Sequence, residues 1–269
     1  PDGNPAYVGY DGKSNVLATR NALGHAIRLS YQTDPNRLAR LTDARENVTT
    51  FEYDSSGNLD GITYPDLSRE SYSYDANGSP TAYTNRRSET IQYTVDTRGQ
   101  VTRKVYPDGR TMDYTYDVRG NLISADDTLT GEIVMSYDAR NFLTAITYPG
   151  GYGFTYEYDD AGNRTRRTSH DGYILNYTYD ATGRLEEITE GVEASLIVRY
   201  GYDQNGRLID EFKGNGTSTS YTYDPAGQLT SLVNYSPEGV VQSRFDYTYD
   251  ENGNRTSVTT LERSEERRV

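Results

Sequence analysis

The chain has 269 residues and a net charge of −13, with 27 tyrosines, five phenylalanines, no tryptophan and no cysteine. An acidic chain is a poor partner for nucleic acid, because phosphate binding requires lysine and arginine to displace counterions. No apolar run approaches the roughly 20 residues of a membrane-spanning helix, and we expect any export signal to lie outside this chain. The composition instead favours strands rich in tyrosine.

The first fifty residues contain degenerate copies of a phrase that becomes regular later. Tyr10-Asp11 and the segment from Tyr31 to Asp34 have its tyrosine and its aspartate but not its full form. Copies are clear from residue 51 to residue 260, and residues 261–269 form a charged tail. We therefore predict a single repeat array over residues 1–269, with degenerate copies in residues 7–50.

The regular copies read Tyr-x-Tyr-Asp, as in residues 114–117. A catalytic site occurs once in a chain, so a phrase with ten copies predicts a structural repeat. The aspartate recurs every 21 residues, except for one step of 23 and one of 26. The ten aspartates are Asp54, Asp75, Asp96, Asp117, Asp138, Asp159, Asp180, Asp203, Asp224 and Asp250.

The residue three positions after each aspartate is glycine in nine copies and asparagine in one. These residues are Gly57, Gly78, Gly99, Gly120, Asn141, Gly162, Gly183, Gly206, Gly227 and Gly253. Asparagine also tolerates a left-handed backbone, so the position requires a positive φ. An aspartate followed by such a residue predicts a type I turn that closes a hairpin with a G1 bulge. We interpret all twenty residues as structural turn residues.

A second turn recurs half a period later. It is clearest at Tyr106-Pro107-Asp108-Gly109, and Tyr64-Pro65 and Tyr148-Pro149 begin similar turns. Each period therefore contains two turns and two strands of about six residues. The long steps add two and five residues near Gly191 and Gly239, where we expect surface loops to absorb them.

These features predict an all-β fold, an antiparallel meander of hairpins with a period of 21 residues. Tyrosine pairs such as Tyr72 and Tyr74 share one face of a strand and should form ladders with their neighbours. An open sheet rarely exceeds about ten strands without curling. We therefore expect a long curved or spiralling sheet that forms part of a hollow shell, with a filled β-solenoid as the alternative.

The phrase Tyr-x-Tyr-Asp-x-x-Gly-(Asn/Arg)-Leu at this spacing resembles the YD repeat of the Rhs family. That family includes bacterial polymorphic toxins, Tc insecticidal toxin complexes, wall-associated proteins and teneurins, and the resemblance covers about residues 7–260. It implies a sheet that spirals into a hollow shell, which encloses a toxic domain in toxins and forms part of an adhesion ectodomain in teneurins. We expect this chain to be a stretch of shell without a self-cleaving segment or a cargo domain.

The sequence predicts no catalytic, cofactor-binding or metal-binding residue. The aspartates lack the ligand spacing of a calcium loop, and turn capping explains them. Ser169-His170-Asp171 contains the residue types of a hydrolase triad, but triad members meet in space rather than in sequence. Tyr64, Tyr106 and Tyr148, which stand at strand ends beside proline, are the candidates for a surface contact.

Two functional hypotheses follow. The first is a non-catalytic shell segment of a secreted or cell-surface protein, with an enclosed toxin or effector and the rest of a larger shell as partners. The second is an adhesion module that binds a cell-surface glycan or protein, because aromatic faces can pack against sugar rings. Neither hypothesis involves a nucleic acid, a membrane span or a cofactor.

Overall fold

The computed structural model describes residues 7–33 and 36–262, whose regular structure is entirely β. Residues 263–269 of the expected tail, and Asp34 of a degenerate copy, lie outside the described residues. The chain divides into two compact units, Pro1–Glu132 and Ile133–Val269. Each unit is described below by itself.

Twenty-four strands are present in the described residues. The first twelve are β1 (Tyr7–Tyr10), β2 (Val16–Arg20), β3 (Ala26–Tyr31), β4 (Leu38–Thr42), β5 (Val48–Tyr53), β6 (Leu59–Thr63), β7 (Arg69–Tyr74), β8 (Pro80–Thr84), β9 (Thr90–Val95), β10 (Val101–Val105), β11 (Thr111–Tyr116) and β12 (Leu122–Asp127). The others are β13 (Gly131–Tyr137), β14 (Leu143–Thr147), β15 (Gly153–Tyr158), β16 (Arg164–Ser169), β17 (Ile174–Tyr179), β18 (Leu185–Glu190), β19 (Ser195–Tyr202), β20 (Leu208–Lys213), β21 (Ser218–Tyr223), β22 (Leu229–Tyr235), β23 (Val241–Tyr249) and β24 (Arg255–Glu262).

Within each unit every strand pairs antiparallel with the next strand along the chain. In the first unit this holds from β1 to β12, for example through Tyr72↔Tyr83 between β7 and β8. In the second it holds from β14 to β24, for example through Tyr177↔Ile188 between β17 and β18. The predicted all-β meander of hairpins is confirmed.

Neither unit has a thick apolar core. Among the described residues no large side chain is less than 2% exposed. The buried apolar residues are Ala125, Ile174, Tyr177, Val198 and Val233, at 7–9% exposure. A filled β-solenoid would bury a continuous core and stack its strands in parallel, so that alternative does not describe either unit.

The first turn of each period closes its hairpin through two backbone hydrogen bonds. At Asp117 the N–H of Gly120 donates to the Asp117 carbonyl at 3.1 Å, and the Asp117 N–H donates to the Asn121 carbonyl at 2.9 Å. The pairing of β11 with β12 shifts register between Thr115 and Tyr116, which is a β-bulge beside the turn. Gly120 has a φ of 93°, and Asn141, in the copy without glycine, has a φ of 68°.

The second turn has the same hydrogen-bond pattern. The Gly109 N–H donates to the Tyr106 carbonyl at 2.9 Å, and the Tyr106 N–H donates to the Arg110 carbonyl at 2.8 Å. Leu67 and Ser88 occupy the left-handed position in other copies, with φ of 65° and 63°. A second turn therefore forms even where the sequence offers a residue that disfavours this backbone region.

The expectation that loops absorb the extra residues is wrong. The step of 26 residues lengthens β22 to seven residues and β23 to nine, while the turn between them remains Ser236–Val240. The step of 23 residues likewise gives β19 eight residues. Longer strands pair the added backbone groups with each other, whereas a loop would leave them to water.

Candidate functional site

The two faces of each unit differ in chemistry. We call the face that holds the tyrosine pairs the aromatic face, and the opposite face the ionic face. On the ionic face charged residues sit opposite one another across strands, as in Arg103–Asp113 at 2.8 Å and Arg199–Glu187 at 2.7 Å. Because these pairs are partly exposed, each contributes at most about 1 kcal/mol to stability.

On the aromatic face the second tyrosine of the pair makes a recurrent hydrogen bond. The Tyr116 hydroxyl donates to the Val101 carbonyl at 2.9 Å. Val101 begins β10, the strand after the first turn at Asp96, and Tyr116 ends β11, the strand before the first turn at Asp117. The bond therefore joins one repeat to the next. The same bond, at 2.8–3.1 Å, is made by Tyr31 to Val16, Tyr53 to Leu38, Tyr158 to Leu143, Tyr179 to Arg164, Tyr202 to Leu185, Tyr223 to Leu208 and Tyr249 to Leu229.

The sheet geometry explains why this carbonyl needs a partner. Three residue pairs join β10 to β11, and the ladder ends at Arg103↔Asp113. The Val101 carbonyl lies beyond the last pair, and the Tyr116 ring and hydroxyl fill the gap. Burial raises the pKa of Tyr116, which keeps the hydroxyl protonated as a donor. Phenylalanine could fill the space but could not donate.

The two long repeats preserve this bond. In ordinary copies the tyrosine and the carbonyl are 15 residues apart, but Tyr202 and Leu185 are 17 apart and Tyr249 and Leu229 are 20 apart. The extra residues lengthen the hairpin, and at Tyr249 they lengthen both of its strands, so the two groups still meet. The tyrosine–carbonyl bond is therefore kept even where the period changes.

The turn aspartates are engaged in capping. Asp117 accepts the N–H groups of Arg119 and Asn121 at 2.8 and 2.9 Å, and the Asn121 amide at 2.9 Å. The hydrogen bond from the Asn121 side chain holds the pKa of Asp117 below its ordinary value. Each of the ten predicted aspartates begins a first turn. The residues three positions after them, nine glycines and Asn141, have φ between 68° and 93°.

An arginine after the turn glycine links neighbouring repeats. Arg184 donates to the Asp180 carboxylate at 2.6 Å and to the Asp203 carbonyl at 3.2 Å, and its guanidinium lies 4.6 Å from the Tyr202 ring centroid. Arg207 makes the equivalent contacts one repeat later. In the part of the chain that the structure describes, no group of three His, Asp or Glu residues could hold a metal ion.

Ser169, His170 and Asp171 lie in a second turn. The Ser169 hydroxyl donates to the Asp171 carboxylate, and the His170 ring packs edge-on against Tyr152 at 4.5 Å. Serine and histidine are thus not connected as a nucleophile and its base. The arrangement is that of a turn, with Asp171 also accepting the Tyr173 N–H at 3.2 Å.

The three strand-end tyrosines have different surroundings. Tyr64 and Tyr106 are half-buried, each with an arginine guanidinium 4.3 Å from its ring centroid. Tyr148 is 39% exposed. Of the three candidates for a surface contact, Tyr148 is the most accessible.

The first unit contains a groove on its aromatic face that the sequence did not predict. It has a volume of about 490 Å³, and its lining includes Tyr72, Tyr74, Tyr83, Tyr93 and Lys104. The Tyr72 and Tyr83 ring centroids are 5.3 Å apart. Tyr83 lies on β8, the strand that follows the first turn at Asp75, and is outside the Tyr-x-Tyr-Asp phrase. Only the register Tyr72↔Tyr83 therefore reveals the aromatic pair.

Polar groups flank this groove. The Tyr72 hydroxyl donates to Glu70 at 3.1 Å, and the Lys104 ammonium lies 5.4 Å from the Tyr114 ring centroid. Burial, with the hydrogen bond to Glu70, raises the pKa of Tyr72 to about 12. At neutral pH Tyr72 is therefore a neutral phenol, with Glu70 as its hydrogen-bond acceptor and the Lys104 side chain in the lining of the same groove.

The repeated hairpins and their turns agree with a known family model. The Teneurin YD-shell model matches residues 6–131 and 170–265, and the RHS Repeat model matches residues 137–173. The chain belongs to the Teneurin YD-shell family. The predicted relationship to the Rhs and YD-repeat proteins is confirmed.

Solved structures of Tc toxin components share the fold. A TcdB2-TccC3-TEV crystal structure superposes with a TM-score of 0.80 at 17% identity over 96% of this chain, and TcdB2-TccC3 without its hypervariable C-terminal region gives 0.76 at 18% over 96%. The Photorhabdus luminescens Tc holotoxin pore, which carries a TccC3 mutation, gives 0.55 at 15% over 96%. This chain spans only 15–18% of the length of those chains.

No curated protein matches the YD-shell chain. Across residues 7–33 and 36–262 there is no helix of the length and apolarity needed to cross a membrane.

The tyrosine–carbonyl bond leads to a stability prediction. Tyr116→Phe keeps the ring but leaves the Val101 carbonyl without its donor, so we expect the free energy of unfolding to fall by about 1 kcal/mol. Urea titration followed by circular dichroism measures this loss. Tyr10→Phe is the matched control, because Tyr10 also precedes the aspartate but is 61% exposed. Equal losses in both variants would contradict the role assigned to the Tyr116 hydroxyl.

Proposed function

We propose that this YD-shell chain is a non-catalytic wall segment of a secreted or cell-surface protein that encloses or carries a toxin or another effector. The observation that carries the proposal is the recurrent bond from a tyrosine hydroxyl to a carbonyl, as in Tyr116 to Val101. The bond recurs along both units, so tyrosine, the commonest aromatic side chain of the array, serves to join one repeat to the next. Membership of the YD-shell family and the shared fold of the Tc components support this proposal.

The mechanism would be confinement. Strand pairs leave few backbone groups for an outside chain, and the tyrosines close the gaps where the ladders end. Side chains also connect the first turns of neighbouring repeats, as where Arg140 donates to the Asp159 carbonyl at 2.7 Å. A wall of this kind keeps proteases and solvent from a cargo without any catalytic group. The partners would be the enclosed effector and the rest of a larger shell.

A chimera tests the wall function. In it, this chain replaces the stretch of the TcdB2-TccC3 polypeptide that it matches, and a reporter enzyme stands at the C-terminus, where the YD-repeat resemblance places the toxic domain. We expect the reporter to resist added protease as it does in the parent polypeptide. The measurement is the rate at which the reporter is digested, relative to the free reporter.

The control is the same chimera with Gly153→Val and Gly214→Val. A Cβ at Gly153 would overlap the Ile146 carbonyl oxygen, and one at Gly214 would overlap the Leu196 carbonyl oxygen, so these changes should open the wall. We expect the reporter in this control to be digested about tenfold faster than in the unaltered chimera. A soluble, folded chimera whose reporter is digested at the free rate would refute the wall function.

A second candidate function is adhesion to a cell-surface glycan, and the aromatic groove of the first unit favours it. Tyrosine rings offer apolar platforms, Lys104 lines the groove, and Glu70 accepts a hydrogen bond from Tyr72; an amine and a carboxylate of this kind are suitable partners for sugar hydroxyl groups. Binding sites for small ligands commonly combine such an apolar lining with a few polar groups. The second candidate requires no catalysis and is compatible with a wall.

Glycan binding makes its own prediction. Calorimetric titration with an oligosaccharide chosen from a glycan array should show saturable binding that Tyr83→Ala weakens about tenfold, because a stacking ring is lost. Tyr83→Phe keeps the ring and should change the affinity less than about threefold. Tyr10→Ala is the control for an exposed tyrosine outside the groove. Absence of saturable binding to any glycan would eliminate this candidate.

A further inference from the structure

One copy of the repeat does not have the tyrosine that makes the tyrosine–carbonyl bond. The residue before the first-turn aspartate is tyrosine in nine of the ten regular copies, and in the copy at Asp96 it is Val95. Val95 ends β9, so it holds the position that Tyr116 holds at the end of β11. Because valine has neither a ring nor a hydrogen-bond donor, this copy is without the group that meets the carbonyl elsewhere.

The carbonyl that would receive this bond belongs to Pro80. The ladder between β8 and β9 ends at Ala82↔Gln92, and Pro80 lies two residues beyond that pair. Val101 likewise lies two residues beyond the last pair between β10 and β11, and its carbonyl accepts the Tyr116 hydroxyl at 2.9 Å. The two strand pairs have the same register, so the Pro80 carbonyl is the equivalent of the Val101 carbonyl.

The aromatic groove of the first unit surrounds the end of β9. Its lining includes Pro80 and Val101, the first residues of the two strands that flank β9, and Val101 is the pairing partner of Val95. Tyr93 also lines the groove, and it shares a face of β9 with Val95 because the two are two residues apart. The groove therefore opens on the face from which a tyrosine at position 95 would project.

We infer that the groove beside Val95 binds the side chain of a tyrosine from a partner polypeptide, in the place that the chain's own tyrosine holds in other copies. Removal of a side chain from a packed site leaves a space that accepts a molecule of similar shape. Eight copies of the tyrosine–carbonyl bond specify that shape as a phenol whose hydroxyl donates to a carbonyl.

The occupant is a polypeptide because the groove, at about 490 Å³, is larger than a single ring requires and is open along the sheet, so it also has room for the adjoining main chain. Tyr74 and Tyr93 in its lining supply apolar surface for the entering ring. The inference concerns the strand ends at Pro80 and Val101 rather than the Tyr72–Tyr83 pair. It requires neither an enclosed effector nor glycan binding.

An NMR titration with short peptides tests the site. The probe is the blocked tripeptide Gly-Tyr-Gly, and the reference is Gly-Phe-Gly, which differs only by the missing hydroxyl. We expect Gly-Tyr-Gly to shift the amide signals of β8, β9 and β10 with a dissociation constant of about 1 mM. Gly-Phe-Gly should bind about fivefold more weakly, because it cannot donate to the Pro80 carbonyl.

Three variants assign the binding to position 95. Val95→Tyr fills the space with the chain's own ring, so it should weaken binding of Gly-Tyr-Gly at least about tenfold. Its unfolding equilibrium constant should be about fivefold smaller than that of Val95→Phe, since only tyrosine donates to the Pro80 carbonyl. Val118→Tyr adds the same side chain at a residue that is 94% exposed, and it should change the affinity less than about twofold.

Three results would overturn the inference. One is equal affinity of the peptide for Val95→Tyr and for the unaltered chain, which would place the binding elsewhere. Another is equal affinity for the two tripeptides, which would show that the hydroxyl is not recognised. The third is binding of p-cresol without binding of either tripeptide, which would make the occupant a small phenol rather than a polypeptide. A thermal unfolding curve for each variant confirms that the fold is intact.

Discussion

The hydrogen bond from a tyrosine hydroxyl to a carbonyl in the neighbouring strand is the constraint on which the rest of the YD-shell structure depends. With almost no fully buried apolar residues, the sheet cannot be stabilised by a core in the usual way. In eight copies a tyrosine instead satisfies a carbonyl that the strand ladder misses, as Tyr158 does for Leu143. The bond survives a change in chain length, since Tyr249 reaches Leu229 across five additional residues.

Much of the fold was predictable because the determinants are local. The spacing of the aspartates indicates the period, and Asn141 in place of glycine indicates the left-handed backbone that the structure has there. Features that depend on register were not predictable. The carbonyl partner of each tyrosine and the pairing of Tyr72 with Tyr83 arise only once the strands are aligned. The left-handed backbone at Leu67 was not predictable either, because the flanking strands impose this turn and leucine itself does not favour it.

The candidate sites lie where a repeat departs from its own pattern. The aspartates and most arginines that could support chemistry are engaged in capping turns and in joining repeats, as Arg184 is. The aromatic groove depends on Tyr83, which lies on β8 opposite Tyr72 and outside the Tyr-x-Tyr-Asp phrase. A repeat protein can thus acquire binding surfaces by single substitutions while the bonds that join its repeats remain intact.

The most direct test of the tyrosine–carbonyl bond as the link between neighbours is hydrogen–deuterium exchange of Tyr223→Phe, which removes the bond to Leu208 in β20. If stability is a sum of contacts between adjacent repeats, exchange should accelerate in β20 and β21 and in the strands beside them, and remain unchanged elsewhere in the second unit. Uniform acceleration throughout that unit, or no acceleration in β20 and β21, would contradict this account.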